Sequence, residues 1–343
     1  MRVAVYYNNN DVRVEERPLP SLNQGEMLVK VKAGGICGTD CLEWYRQKKA
    51  PLVLGHEITG DIAETTPQVK DFKVGQRVFV SHHVPCNTCH YCLSGHHTAC
   101  HTLHTTNYDP GGFSEFIRIP KINIEKGTYV LPEEITYEEG TFIEPLACVI
   151  RAQKIAKIKR RSTVLILGSG ISGILHIKLA KATGVEKIIA TDISDWRLEF
   201  AEKQGAIALK ATEDIAAKLK ELNNGHLADY VIVCTGATSA AYQALDCIDN
   251  GATLIFFAPL APEVKLPLPV ADLWRKEVTL LTSYGAAPKD LEEAIELLKN
   301  HTVEVTDMIT HRLSLERIAK GFILVAQADE SMIVIVELDT NCY

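Results

Sequence analysis

The sequence predicts an α/β protein with two parts, a β-rich domain and a domain built on a doubly wound parallel sheet. Three observations point there. A chain of 343 residues exceeds one ordinary hydrophobic core. Residues 1–150 carry short β-rich runs broken by Gly and Pro. From about residue 150, strand-like and helix-like runs alternate, the pattern of right-handed crossovers between parallel strands.

In the first part the runs are VRVEERPLP, MLVKVKAGG, EITGDIAE, QRVFVSH and FSEFIRIP. In the second, TVLIL reads as a strand, ISGILHIKLAKAT as a helix, KIIAT as a strand and DWRLEFAEKQ as a helix. The helix ATEDIAAKLKELNNG leads to the strand ADYVIVC, and a helix around SAAYQALDCI leads to the strands ATLIFFA and VTLLTS. After about residue 285, LEEAIELLKN and LERIAKGFILVAQA read as amphipathic helices and MIVIVEL as a final strand.

Composition narrows the function classes. Lys+Arg 36 against Asp+Glu 43 gives a net charge of −7, which offers no electrostatic help toward nucleic acid or an anionic membrane. No run of eighteen apolar residues suggests a membrane span, and MRVAVYYNNN lacks the apolar segment of a signal peptide. The expected location is the cytoplasm. There, ten cysteines point to metal ligands and buried thiols rather than disulfides.

VLILGSGISG places Gly168, Gly170 and Gly173 in the pattern G-x-G-x-x-G between a strand and a helix, with Ile171 and Ser172 opening that helix. The first glycine permits a tight turn, the second lets a pyrophosphate approach the backbone, and the third lets helix and strand pack closely. Asp192 ends the next strand, where a carboxylate accepts from both ribose hydroxyls and repels a 2′-phosphate. NAD is therefore favoured over NADP. The competing reading of Asp192 is a helix cap for DWRLEF. Arg197 is a candidate neighbour of the adenine or a surface ion-pair partner. Cys234 and Thr235, in CTGA after another strand, are candidates to line the crevice, or Cys234 only packs.

Cys86, Cys89, Cys92 and Cys100 have the spacing C-x₂-C-x₂-C-x₇-C. Four thiolates close a tetrahedral zinc shell and leave no position for substrate, so this set reads as a structural staple. An iron–sulfur cluster and four unliganded thiols are the alternatives. Upstream, GICGTD offers Cys37, GHE offers His56 and Glu57, and FIEPLA offers Glu144, an acid in apolar surroundings.

GICGTD, GHE, the four-cysteine loop, GGFSEF, IEPLA and GSGISG occur in this order and resemble the zinc-containing medium-chain alcohol dehydrogenases, in the branch of sorbitol and other polyol dehydrogenases and L-threonine 3-dehydrogenase. The resemblance covers essentially the whole chain. It implies a GroES-like catalytic domain from residues 1–148 and 286–343 around a Rossmann NAD-binding domain of residues 149–285. It also implies a catalytic zinc at Cys37, His56 and Glu57, with Glu144 at the metal or its water and Thr39 touching the substrate oxygen. A homodimer or homotetramer follows from the same resemblance. The implied reaction takes a hydride from a secondary alcohol to NAD and gives a ketone, zinc favouring loss of the hydroxyl proton. The expected substrate is a polyol, sugar alcohol, cyclitol or sugar derivative, with L-threonine 3-dehydrogenase as the alternative.

One departure stands out. Many relatives carry a relay histidine three residues after the threonine or serine, and here that residue is Leu42, which cannot carry a proton. His83 is the candidate to line the pocket, bond a substrate hydroxyl or pass the proton on; otherwise it packs on the cysteine loop or faces solvent. Ser283 and Tyr284 read as a strand-end turn more than as neighbours of the nicotinamide. A zinc-ribbon nucleic-acid binder and an inactive NAD sensor are the rivals; the acidic charge argues against the first and the full set of metal-ligand residues against the second.

Overall fold

A computed structural model describes residues 1–338. The chain divides into two compact units: Met1–Ala147 with the chain from Ala286 onward, and Cys148–Gly285.

The first unit is the GroES-like domain. Its main sheet has the strand order Ile309–Ser314, Ile333–Glu337, Met27–Gly35, Glu57–Thr65, Arg77–Val80, Thr128–Val130, with Phe116–Ile119 also pairing with Met27–Gly35. A smaller sheet joins Asp11–Glu16, Arg2–Asn8 and Leu52–Val53. In the strand MLVKVKAGG one face, with Met27, Val29 and Val31, is buried with Phe113, Phe322 and Tyr6, while Lys30 and Lys32 on the other face are half-buried. The late strand Ile333–Glu337 runs antiparallel to Met27–Gly35, with Ile335 opposite Gly35. That pairing brings the two ends of the chain into one sheet.

The second unit is the Rossmann domain. Six parallel strands lie in the order Ile207–Lys210, Lys187–Asp192, Thr163–Leu167, Ala228–Val233, Ile248–Phe256, Thr279–Thr282. In chain order within the unit this is 3-2-1-4-5-6, and the direction of winding reverses between Thr163–Leu167 and Ala228–Val233. Ligands bind outside the carboxyl ends of the strands at such a reversal. Thr163–Leu167 is buried at all five positions, as a parallel strand covered on both faces must be.

Candidate active site and cofactor edge

The candidate ligands come together because two neighbouring strands bring them to the same end of the sheet. In the antiparallel pair of Met27–Gly35 and Glu57–Thr65, Gly35 stands opposite Glu57. Cys37 lies two residues past the end of one strand and His56 one residue before the start of the other. Ligand atoms of Cys37, His56 and Glu57 therefore lie within 4.8 Å of one another. A Cβ at Gly35 would come within 2.4 Å of Glu57 Oε2, so only glycine leaves room for the carboxylate. Gly55, at φ +94°, makes the turn into the GHE segment, and a Cβ there would meet the Phe113 backbone nitrogen at 2.8 Å.

Glu57 is fully buried, and neither carboxylate oxygen has a hydrogen-bond partner. Such a group is costly unless a cation satisfies it. Burial pushes its carboxyl up to about 8; the nearby His56 opposes this, while Glu144 and Asp40 add to it. Burial and the Glu57 charge likewise raise the Cys37 thiol. The donor set fits a metal: one sulfur, one imidazole and one otherwise orphaned carboxylate, with no fourth donor in the cluster among the described residues. Glu144, half-buried on the first turn of the helix Ile143–Ala156, is outside that cluster, but its charge acts on both Glu57 and Tyr108.

Around these three the structure gathers Thr39 and His83 with further residues to which the sequence assigned no role. Asp40 is fully buried, and its Oδ1 lies 3.3 Å from His56 Nδ1. That pairing holds the ring and leaves Nε2 for a metal. Burial disfavours the His56 cation, but Asp40 outweighs it and holds the ring's pKa well above its usual value, so a metal must displace a proton there. The Thr39 hydroxyl donates to Cys37 Sγ at 3.3 Å. Arg46, on the short helix Glu43–Arg46, donates from Nε to the Thr39 carbonyl at 3.0 Å and from Nη2 to Asp40 Oδ1 at 3.2 Å. His82 stacks between His56 and His83, with ring centroids 4.9 and 3.8 Å away. The Tyr108 hydroxyl, buried near the same acids, donates to the Gly55 carbonyl at 3.3 Å. The CGTD and HH segments drew attention to this neighbourhood. Arg46 and Tyr108 had no such signal.

The four-cysteine loop is a separate cluster in the same unit. Cys89 and Cys92 sulfurs are 3.6 Å apart, Cys86 and Cys100 3.6 Å, and Cys86 and Cys92 3.9 Å. A tetrahedron with metal–sulfur bonds of about 2.3 Å has edges of about 3.8 Å, so the sulfurs already stand where zinc needs them. Backbone N–H groups of Thr88 and Cys89 point at Cys86 Sγ, at 3.4 and 3.2 Å; the Thr88 side chain first, and then these two N–H groups, pull its thiol down to about 5. Burial drives Cys92 the other way, up to about 12.

In the Rossmann unit, Gly168 adopts φ +97°, and a Cβ at Gly173 would come within 2.0 Å of the Gly168 carbonyl oxygen. The helix Ile171–Ala182 starts after Gly170 with no side-chain cap, so its first N–H groups face outward at a positive helix end. Asp192 is buried, and its two oxygens accept from the Ser169 and Ser194 backbone N–H groups at 2.8 and 2.9 Å. Ser194, not Asp192, caps the helix Asp195–Lys203. Arg197 lies alongside Gly170, with Nη1 3.6 Å from where a Cβ would be. Cys234 is held against Leu167 by its backbone N–H, 2.8 Å from the carbonyl, and burial raises its thiol. Thr235 Oγ1 accepts from Ala237 N at 3.3 Å.

Comparison with known proteins agrees with this architecture. The alcohol dehydrogenase GroES-like domain family matches residues 23–129, and the zinc-binding dehydrogenase family matches residues 172–300. A sorbitol dehydrogenase of Bacillus subtilis is 31% identical over 92% of this chain and 91% of its own length. A probable D-xylulose reductase A of Aspergillus clavatus is 32% identical over 91% of this chain and 90% of its own. The crystal structure of galactitol-1-phosphate dehydrogenase from Escherichia coli superimposes with a TM-score of 0.86 at 27% identity, over 98% of this chain and 100% of that one. The chain therefore belongs to the zinc-containing medium-chain alcohol dehydrogenase family, in its polyol dehydrogenase branch, as an NAD-dependent oxidoreductase with one closed and one open metal-binding set.

Proposed function

We propose that Cys37, His56 and Glu57 hold a catalytic zinc at which a secondary alcohol of a polyol, sugar alcohol, cyclitol or related sugar derivative is oxidised to a ketone. The observation that carries this reading is the incomplete donor set: three ligand atoms within 4.8 Å and a buried carboxylate with both oxygens unpartnered. When bound, zinc supplies Lewis acidity that favours loss of the alcohol proton, and NAD accepts the hydride.

The chain's own residues position and deprotonate. Asp40 fixes the His56 ring. The Thr39 hydroxyl, already aimed at Cys37 Sγ, bonds the substrate oxygen and starts its proton outward. Leu42 cannot carry that proton further; His83 lines the pocket as a neutral ring, pushed down to about 4 by burial and then by nearby cations. Glu144 acts as a second carboxylate toward the metal or its water. Cys86, Cys89, Cys92 and Cys100 hold the structural zinc. Gly168, Gly170, Ile171, Ser172 and Gly173 receive the pyrophosphate, and Asp192 the ribose hydroxyls, with Arg197, Cys234 and Thr235 at the crevice.

A cytoplasmic location suits thiols that serve as ligands. Homodimer or homotetramer assembly is supported by the strand Thr279–Thr282, which ends the six-stranded sheet with Leu280 37% exposed. Sedimentation of the purified protein tests it, and a monomer at micromolar concentration refutes it. The reaction is tested by NAD reduction across polyols, cyclitols, sugar acids, sugar alcohol phosphates and L-threonine, with NADP in parallel. Turnover of a polyhydroxy compound is expected. A response to L-threonine alone replaces the reading with the threonine alternative, and silence from zinc-replete protein refutes it.

A further inference from the structure

The segment WYRQKK, residues 44–49, folds back beside Thr39 and brings one of its three cations, Arg46, to the Thr39 hydroxyl. Arg46 spends Nε on the Thr39 carbonyl and Nη2 on Asp40 and, at 3.5 Å, on the Thr39 hydroxyl. Its two Nη1 hydrogens have no partner among the described residues. The face of the guanidinium is covered by the Tyr45 ring, 4.8 Å from Cζ, and the Lys49 ammonium lies 4.7 Å from the same ring. One exposed tyrosine thus gathers two cations. Only Arg46 of the two has a carboxylate in ion-pair contact among the described residues, and that carboxylate, Asp40, is shared with His56.

The same charges converge on the histidine pair. Burial, and then charges that include the permanent cations Arg46 and Lys49, disfavour a proton on His83. His82, stacked on His83, has a buried Nδ1 with no hydrogen-bond partner. A half-free guanidinium fork therefore reaches the Thr39 hydroxyl, with the Lys49 ammonium on the same tyrosine ring and the two histidine rings stacked on His56. A neutral polyol needs none of the surplus charge; an oxyanion accepts from the fork and the ammonium together.

We propose that Arg46, Lys49 and His83 form an anion-binding rim beside Thr39, so that the substrate is a polyol bearing a phosphate monoester or a carboxylate near the reacting carbon. This rests on the polyol-oxidation reading above and names the substrate class for that same site.

The test uses zinc-replete protein and matched sets that differ only in the charged group: sorbitol, sorbitol 6-phosphate and gluconate, with their galactitol counterparts. The expected result is a kcat/KM at least 30-fold higher for the ester or the acid than for the neutral parent, the better of the two identifying the anion. Inorganic phosphate should compete with that substrate. Lys49→Ala and Lys49→Gln should raise its KM at least tenfold with kcat within twofold, and should shrink the preference over the neutral parent. Equal or better oxidation of the neutral parents, insensitive to phosphate, overturns the rim while leaving polyol oxidation standing. No turnover of either class by protein that still holds two zinc ions and binds NADH overturns both readings. If Lys49→Ala weakens NADH binding, followed by fluorescence, as much as it raises KM, the charges serve the cofactor's phosphates and the proposal fails.

Discussion

The two cysteine-containing clusters lie in one unit yet are built on opposite principles. The closed cluster comes from a single contiguous loop, residues 86–100, and all four donors are the same atom type, spaced 3.6–3.9 Å apart in the pairs described above. The open cluster needs two strands in register, mixes sulfur, nitrogen and oxygen, and buries a carboxylate that nothing else satisfies. A shell complete in itself can only hold the fold. A shell left one donor short, with a hydroxyl beside it, has a place for a reactant. Uniform donors at short spacing signal structure, and mixed donors from distant segments signal chemistry.

The sharpest way to break this comparison is to remove one sulfur from each cluster. Cys37→Ser should reduce turnover at least about a thousandfold, a scale typical of losing a charge-stabilising group at the reacting centre. The protein should stay folded, bind NAD and contain one zinc per chain instead of two. Cys89→Ser should act on stability instead. Loss of a structural metal ligand belongs with the largest single-residue effects, about 4 kcal/mol or more. At roughly 2–4 °C per kcal/mol for a unit of about 200 residues, the melting temperature should fall by about 10 °C, with kcat of the surviving protein within threefold. If Cys37→Ser unfolds the chain and Cys89→Ser silences a stable one, the two roles are reversed.

Acidification separates the clusters without mutation. Below pH 8, zinc at the open cluster must displace protons from the raised Cys37 thiol, from the His56 ring and from the Glu57 carboxyl, which is held at about 8. Three protons make the apparent affinity fall by up to about a thousandfold per pH unit. In the closed cluster Cys86 is pulled down to about 5 and Cys100 is lowered too, so less protonation opposes the metal there, although Cys92 retains its proton. Dialysis against chelator at pH 6 should release the catalytic zinc first, read as metal content with melting temperature retained. The smallest effect is expected at the pocket wall. His83→Ala should raise KM about three- to tenfold, through one lost hydrogen bond. An unchanged KM and kcat would return His83 to a packing role.

The closed cluster, the glycine turn and Asp192 were legible in the sequence because each is a local pattern whose physics is complete within a few residues. The alternation of strands and helices gave the parallel sheet for the same reason. Cys37, His56 and Glu57 needed more, since no periodicity says that Gly35 stands opposite Glu57. The family resemblance linked them before the register did. What stayed hidden was the irregular chain between them. Residues 38–49 run through short helical turns without a repeating pattern, so the fold-back that sets Arg46 on Thr39, seven positions away, had no trace in composition. The strand Arg77–Val80 ends before His82 and His83, so alternation could not tell which ring turns toward His56. The structure puts His82 there.

The pairing of Ile333–Glu337 with Met27–Gly35 also bears on the order of events during synthesis. The strand that presents Cys37 leaves the ribosome well before one of its neighbours, which follows about 300 residues later, roughly 15–60 s at 5–20 residues per second. The cysteine loop can take up its metal, and the NAD-binding unit can fold, while that strand still lacks one edge. The reactive end of the nascent enzyme is thus closed late, and a ribosome that stops short of residue 333 leaves a chain with its staple in place and its catalytic sheet unfinished.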